Sequence, residues 1–154
     1  MTDFRIPRSR VHLTHRDMRD ELFERLESIL LADFKVGAHF AGDHLAKEFI
    51  TYTGHTHAIG VHSATMGMVI GLRACGVGVD DEVITVGNSD ISTTAAIHHV
   101  GARSILCDIN CEDYTIDVDK VESLINENTS AILPLDMYGH PADVKALRRI
   151  AGKY

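Results

Sequence analysis

The chain has 154 residues, of which 45% are hydrophobic and 24% are charged, the proportions of an ordinary globular domain. Its formal net charge of −7 argues against nucleic-acid binding as the main function. No stretch approaches the roughly 18 apolar residues of a transmembrane helix, and the N-terminus lacks the apolar core of a secretory signal. The odd count of three cysteines favours a reducing compartment. We therefore expect a cytoplasmic protein with neither a membrane nor a nucleic-acid partner.

The first third of the chain is predicted to be helical. Apolar residues recur at helical spacing from Thr14 to Leu31, which predicts a first helix. Asp43 is a suitable cap for a second helix that ends near Thr53, and Gly54 follows it as a C-terminal glycine. These patterns indicate a helical N-terminal arm over residues 1–35, ahead of a different domain.

Short runs rich in β-branched residues alternate with helical segments in the rest of the chain. The pattern predicts strands at 57–61, 82–86, 104–108 and 131–135, and helices at 66–75, 92–99, 118–126 and 142–153. Continuous apolar strands joined by helices predict an α/β fold, a mostly parallel sheet with helices on both faces. The helix at 66–75 is apolar on nearly every side, so we expect it to be buried.

The first predicted strand-to-helix turn reads His62-Ser63-Ala64-Thr65. Ligands of parallel sheets bind at the carboxyl ends of the strands, so such turns are where chemistry is expected. Two hydroxyl groups and the free N–H groups of the first helical turn form an anion site that suits phosphate. Ordinary N-capping by Ser63 or Thr65 explains the same residues, so spacing alone leaves both interpretations open.

Several segments carry a resemblance to a known family. They are Ser63-Ala64-Thr65, Gly-Val-Asp-Asp-Glu-Val-Ile at 78–84, His-Val-Gly-Ala at 99–102 and Tyr-Gly-His-Pro-Ala-Asp at 138–143. In this order and spacing the chain resembles the DegT/StrS family of pyridoxal-phosphate-dependent sugar aminotransferases of fold type I. The resemblance implies that residues 36–154 are an incomplete large, cofactor-binding α/β domain, and that the chain is an N-terminal fragment of such an enzyme.

The resemblance also implies which residues contact the cofactor. Ser63, Ala64 and Thr65 would bind the phosphate of pyridoxal 5′-phosphate. After the second strand the family usually has an aromatic residue that stacks on the pyridine ring, whereas this chain has Asn88-Ser89-Asp90. A carboxylate cannot stack on a ring, so a cofactor contact at Asp90 implies altered chemistry. The alternative interpretation is that Asp90 caps the helix that begins near Ser92.

Two features that the resemblance implies further along are missing. They are an aspartate that pairs with the pyridine nitrogen and a lysine that forms the Schiff base. The lysines of this chain lie on predicted helix faces, in a connector or at the C-terminus: Lys35, Lys47, Lys120, Lys145 and Lys153. None follows a strand in a buried pocket, where a nucleophilic amine is expected. We therefore assign no catalytic residue, and the spacing of His and Cys residues predicts no metal site.

Two functional hypotheses follow. The first is the N-terminal part of an aminotransferase that acts on nucleotide-linked keto-sugars and assembles as a homo-oligomer, a dimer by resemblance, with no activity as this chain alone. The second is a non-catalytic truncated remnant, or an interaction or regulatory module of the same fold.

Overall fold

The computed structural model describes residues 11–31 and 40–154, which fall into two compact units, one within 1–60 and the other spanning 61–154. The described helices of the first unit are α1 (Val11–Asp17), α2 (Arg19–Leu30) and α3 (Phe40–Thr53). The prediction of one continuous first helix is wrong, because Met18 leaves the helical conformation with φ −100° and ψ 6°. Gly54 follows α3 with a φ of 72°, as predicted for a C-terminal glycine. The predicted domain boundary at 35/36 lies outside the described residues.

The second unit contains the sheet. Its elements are α4 (Ala64–Ala74), β1 (Glu82–Val86), α5 (Ile91–His99), β2 (Arg103–Cys107), α6 (Val118–Val121) with a 3-10 turn at Glu122–Leu124, β3 (Thr129–Ile132), a second 3-10 turn at Met137–Gly139, and α7 (Val144–Ala151). The strands are all parallel, in the order β2-β1-β3. In the part of the chain that the structure describes, no helix is long and apolar enough to cross a membrane.

The central strand β1 divides the core into two clusters because its side chains alternate between the two faces of the sheet. Val83 packs with Leu72 of α4 and Ile97 of α5. Ile84 and Val86 pack on the opposite face with residues of α6 and α7. Each fully buried Val or Ile contributes about 1.5–3 kcal/mol. The prediction of a parallel sheet with helices on both faces is therefore confirmed.

The strand predicted at 57–61 is wrong. This segment has no regular secondary structure, and the side chain of Ile59 is 81% exposed. A strand is stabilised by hydrogen bonds to a neighbouring strand, and neither edge of the described sheet pairs with this segment. The segment has the apolar, β-branched composition of a strand, but no strand of the described sheet pairs with it.

The predicted burial of the helix after this segment is also wrong. Helix α4 forms at Ala64–Ala74, but Leu72 is its only buried residue and Ile70 is 46% exposed. One side of α4 packs against the sheet and α5 through Leu72.

Candidate cofactor site

Two backbone N–H groups in the turn before α4 have no acceptor among the described residues. Ser63 is the N-cap, in an extended conformation, and its Oγ accepts a hydrogen bond of 3.2 Å from the Met66 N–H. The first helical bond runs from the Gly67 N–H to the Ser63 carbonyl oxygen at 3.0 Å. The N–H groups of Ala64 and Thr65 therefore have no acceptor within the helix. The capping interpretation of Ser63 is confirmed, and it is compatible with an anion bound by the two remaining donors.

The loop after β1 positions Asp90 at the start of the next helix. Asp90 is the N-cap of α5, and its Oδ1 accepts a hydrogen bond of 2.9 Å from the Ser92 N–H. Ser89 Oγ and Thr93 Oγ1 lie 2.6 Å apart and join this loop to the helix. The hydrogen bond from the Ser92 N–H lowers the pKa of Asp90, and one from the Ser92 side chain adds to the effect. Asp90 thus presents an ionised carboxylate at the carboxyl edge of the sheet, and its capping interpretation is confirmed.

The two turns differ in how well they suit a phosphorylated pyridine. The turn at Ser63-Ala64-Thr65 offers N–H and hydroxyl donors, which match the acceptor oxygens of a phosphate. Asp90 offers a carboxylate that is already held by Ser92. A carboxylate gives neither a flat apolar surface nor a donor to a ring face. The phosphate end of pyridoxal phosphate therefore fits these residues, whereas Asp90 does not fit the face of its ring.

Acidic residues after β2 serve the local structure. Asp117 caps α6 through the Asp119 N–H at 3.2 Å, and Lys120 Nζ lies 3.0 Å from Asp108 Oδ2 and 3.4 Å from Asp117 Oδ2.

Burial raises the pKa of the Cys107 thiol, and Asp117 and Asp108 raise it further, so this thiol is a poor nucleophile. Within residues 11–31 and 40–154, no group of three or more His, Cys, Asp or Glu residues has the arrangement of a metal site.

The described lysines are all exposed. Lys120 pairs with Asp108 and Asp117, and its pKa is raised, chiefly by the hydrogen bond to Asp108. Lys153 Nζ lies 2.7 Å from Glu122 Oε1. A nucleophilic lysine needs a lowered pKa, the opposite of what Lys120 has. Lys35 lies outside the described residues, so the absence of a Schiff-base lysine stays a prediction.

Asp136 orders the loop that leaves β3. Its Oδ1 accepts a hydrogen bond of 3.0 Å from the Ala142 N–H, and its carbonyl oxygen accepts one of 3.1 Å from the Gly139 N–H. Between these points Tyr138 has a left-handed backbone, with φ 55° and ψ 20°, and its side chain is 89% exposed. Tyr138 begins the segment at 138–143 that carries the family resemblance, and the sequence predicts no separate role for it.

Comparisons with known proteins agree with this fold. The chain is 41% identical over 106 residues to a dTDP-3-amino-3,4,6-trideoxy-alpha-D-glucose transaminase of Micromonospora megalomicea subsp. nigra, a match that covers 69% of this chain and 28% of that protein. The crystal structure of S. venezuelae DesV in complex with a ketimine intermediate superposes with a TM-score of 0.88 at 30% identity, over 97% of this chain and 40% of DesV. The structure of ntda from Bacillus subtilis with bound cofactor PMP superposes with a TM-score of 0.77 at 34% identity, over 90% of this chain and 31% of that one.

The chain thus spans well under half the length of these relatives. A family model matches residues 17–154, nearly the whole chain. The chain belongs to the DegT/DnrJ/EryC1/StrS aminotransferase family.

Proposed function

We propose that this chain supplies the phosphate cradle of a pyridoxal-phosphate-dependent aminotransferase that acts on nucleotide-linked keto-sugars. The observation that carries the proposal is the start of α4, where no described residue accepts from the N–H groups of Ala64 and Thr65 beside the Ser63 cap. The family match over residues 17–154 supports it, as does the sugar transaminase activity named for a relative at 41% identity.

The residues of this turn would bind and orient the cofactor. Ala64 and Thr65 donate backbone hydrogen bonds to the phosphate, and the positive end of the α4 dipole adds to the attraction. The Ser63 hydroxyl holds the Met66 N–H, which keeps the first turn of the helix in place. When bound, pyridoxal phosphate supplies the electron sink for amino transfer. The described residues would bind and orient this cofactor.

The proposal is tested by removing one backbone donor without changing the fold. Ala64 is the first residue of α4, where proline is tolerated, and the extended conformation of Ser63 suits a following proline. Ala64→Pro removes one N–H from the cradle, and Ala64→Ser changes the side chain but keeps the donor. Binding of pyridoxamine phosphate is followed by its own fluorescence at micromolar concentration, and inorganic phosphate is measured by competition.

We expect Ala64→Pro to raise the Kd of both ligands about ten- to a hundredfold, since hydrogen bonds to charged groups are worth ~1.5–3 kcal/mol. Ala64→Ser is expected to retain the affinity of the unmodified chain. Equal affinity of both variants would mean that the turn does not bind phosphate. If the unmodified chain bound neither ligand, the second hypothesis, a non-catalytic module of the same fold, would take its place.

We further propose that the protein acts in the cytoplasm as a homodimer in nucleotide-sugar biosynthesis. The cytoplasmic location is supported by the odd cysteine count, and the dimer by the resemblance to fold type I enzymes. Size-exclusion chromatography with light scattering tests the assembly, and a fluorescent fusion tests the location.

A further inference from the structure

One pair of ionisable side chains joins the loop after β2 to the loop after β3. His140, in the loop after β3, has its Nε2 3.9 Å from Oδ2 of Asp113, in the loop after β2. Strand β1 lies between β2 and β3 in the sheet. The pair therefore bridges two loops that lie on either side of the central strand.

Both members of this pair belong to ordered turns. The backbone N–H and the Oγ1 of Thr115 both donate to Oδ1 of Asp113 at 2.9 Å, which leaves Oδ2 for His140. The backbone N–H of His140 donates to the Met137 carbonyl oxygen at 2.9 Å. The two side chains are thus brought together by the conformations of their loops.

The attraction within the pair depends on the charge of the imidazole. A separation of 3.9 Å is too long for a hydrogen bond, so a neutral His140 gains little from Asp113. Histidine is the side chain that normally changes charge between about pH 5 and 8. The pKa of Asp113 is lowered, first by the backbone N–H of Thr115 and then by its hydroxyl, so the carboxylate stays ionised over that range.

The remaining charged groups of the two loops are acidic, and most are already engaged. Asp108 pairs with Lys120 of α6 at 3.0 Å, and Asp136 and Asp143 each accept a hydrogen bond from a backbone N–H. Glu112 is the other acidic residue of the loop after β2. Carboxylates and lysines ordinarily keep their charge between about pH 5 and 8. His140 is the one histidine of these two loops, so a change of charge there in this range is expected from it.

We propose that His140 and Asp113 form a pH-dependent latch between the loops after β2 and β3, closed when His140 is protonated and released when it is neutral. This inference does not rest on the proposed function. The stability that the latch adds is present at acid pH and is lost as the pH rises through the range in which histidine gives up its proton. Both loops leave the carboxyl ends of parallel strands, where ligands of such sheets bind. The latch therefore restricts two loops at that edge in acid and frees them in base.

A double-mutant cycle tests the latch. The unmodified chain, His140→Gln, Asp113→Asn and the double variant are unfolded in urea at about pH 5.5 and about pH 8. The cycle cancels the effects of all groups that titrate independently of the pair. We expect the two changes to be coupled by about two- to fivefold in the unfolding equilibrium constant at the acid pH, as for exposed ion pairs, and to be uncoupled at the basic pH.

Two controls isolate the role of the imidazole. His140→Lys keeps a positive charge at both pH values, so its stability relative to His140→Gln is expected to be about two- to fivefold higher at both. The ion pair of Lys120 with Asp108 also joins the loop after β2 to a neighbouring element. A cycle of Lys120→Gln with Asp108→Asn is expected to give the same coupling at both pH values, because neither group changes its charge between them. Circular dichroism of each variant verifies the fold.

Each result bears on the latch. Coupling of His140 and Asp113 that is absent at the acid pH, or equal at both pH values, refutes it. If Asp113→Asn does not fold, the comparison of His140→Lys with His140→Gln decides. Equal stability of these two variants would then overturn the latch.

Discussion

Asp90 accepts a 2.9 Å hydrogen bond from the backbone N–H of Ser92, at the position where related enzymes are expected to carry an aromatic residue. The carboxylate thereby stabilises the start of α5. An aromatic residue at this position would offer a ring face instead. One side chain cannot provide both, so this chain has a helix cap where a stacking contact is expected.

Replacing Asp90 with Phe or Trp is predicted to tighten binding of pyridoxamine phosphate about two- to tenfold, because stacking is worth ~0.5–1.5 kcal/mol beyond area burial. The same change is predicted to lower the free energy of unfolding by about 1 kcal/mol through loss of the cap. Asp90→Asn is the control, since asparagine caps helices without providing a ring. Fluorescence titration and urea unfolding measure the two effects. Unchanged or weaker affinity would show that position 90 does not face the ring.

Ser104 Oγ on β2 is a buried hydroxyl with no hydrogen-bond partner among the described residues. Ser104→Ala removes a polar group that is buried without a hydrogen bond. We therefore predict that the free energy of unfolding stays the same or rises by up to about 1 kcal/mol. The contrasting change is Thr85→Val, because the buried Thr85 Oγ1 donates to the Leu133 carbonyl oxygen at 2.8 Å. Its loss is predicted to cost about 1–2 kcal/mol. Urea unfolding that showed Ser104→Ala to be the more harmful change would contradict this account.

Asp81 connects the turn before β1 to β3. Ser130 Oγ donates to its Oδ1 at 2.5 Å and the Gly78 N–H donates to its Oδ2 at 2.7 Å. The pKa of Asp81 is lowered from its ordinary value of 3.8, first by Ser130 and then by Gly78. Because the folded pKa is the lower one, this stabilisation is present above the ordinary value and is lost as the pH falls through the folded pKa.

We therefore predict that Asp81→Asn flattens the acid limb of the stability profile. Urea midpoints of both proteins, measured from neutral pH to about pH 3, provide the test. The difference between the two is expected to shrink toward the acid end, as Asp81 begins to take up a proton. Parallel profiles would show that Asp81 contributes nothing to acid sensitivity.

The purified 154-residue chain is predicted to self-associate or to be poorly soluble. The outer strands β2 and β3 each leave one edge unpaired by any described strand, and such edges recruit other chains. The apolar helix α4 buries only Leu72 and exposes Ile70, which adds apolar surface available for association. Light scattering at micromolar concentration would contradict this prediction by showing a stable monomer.

The same chain is predicted to have no transaminase activity by itself. The described lysines are exposed, and Lys120 and Lys153 are engaged in ion pairs. None of them is buried, whereas a nucleophilic lysine is activated in a desolvated pocket. An assay of amino transfer to a keto-sugar by the purified chain tests this, and measurable turnover would overturn it.

The sequence correctly predicted those elements that depend only on residues close to one another in the chain. A short run rich in β-branched residues between two helical segments predicted β1 at its observed bounds, residues 82–86. The glycine that ends α3, Gly54, followed from residue type, because a glycine with positive φ acts within a few residues. The turn at Ser63 was predicted in the same way, and its hydroxyl does cap α4.

Features that need a partner distant in sequence, such as strand pairing and helix burial, were decided by the tertiary structure. Residues 57–61 have the composition of a strand but no neighbouring strand to pair with, and α4 has the composition of a buried helix but little to cover it. The contact between His140 and Asp113 joins loops separated by strand β3 and helix α6. Periodicity and capping are properties of neighbouring residues, and the sequence itself determined them. Burial, strand pairing and the meeting of loops depend on which segments pack together, and only the folded chain decided them.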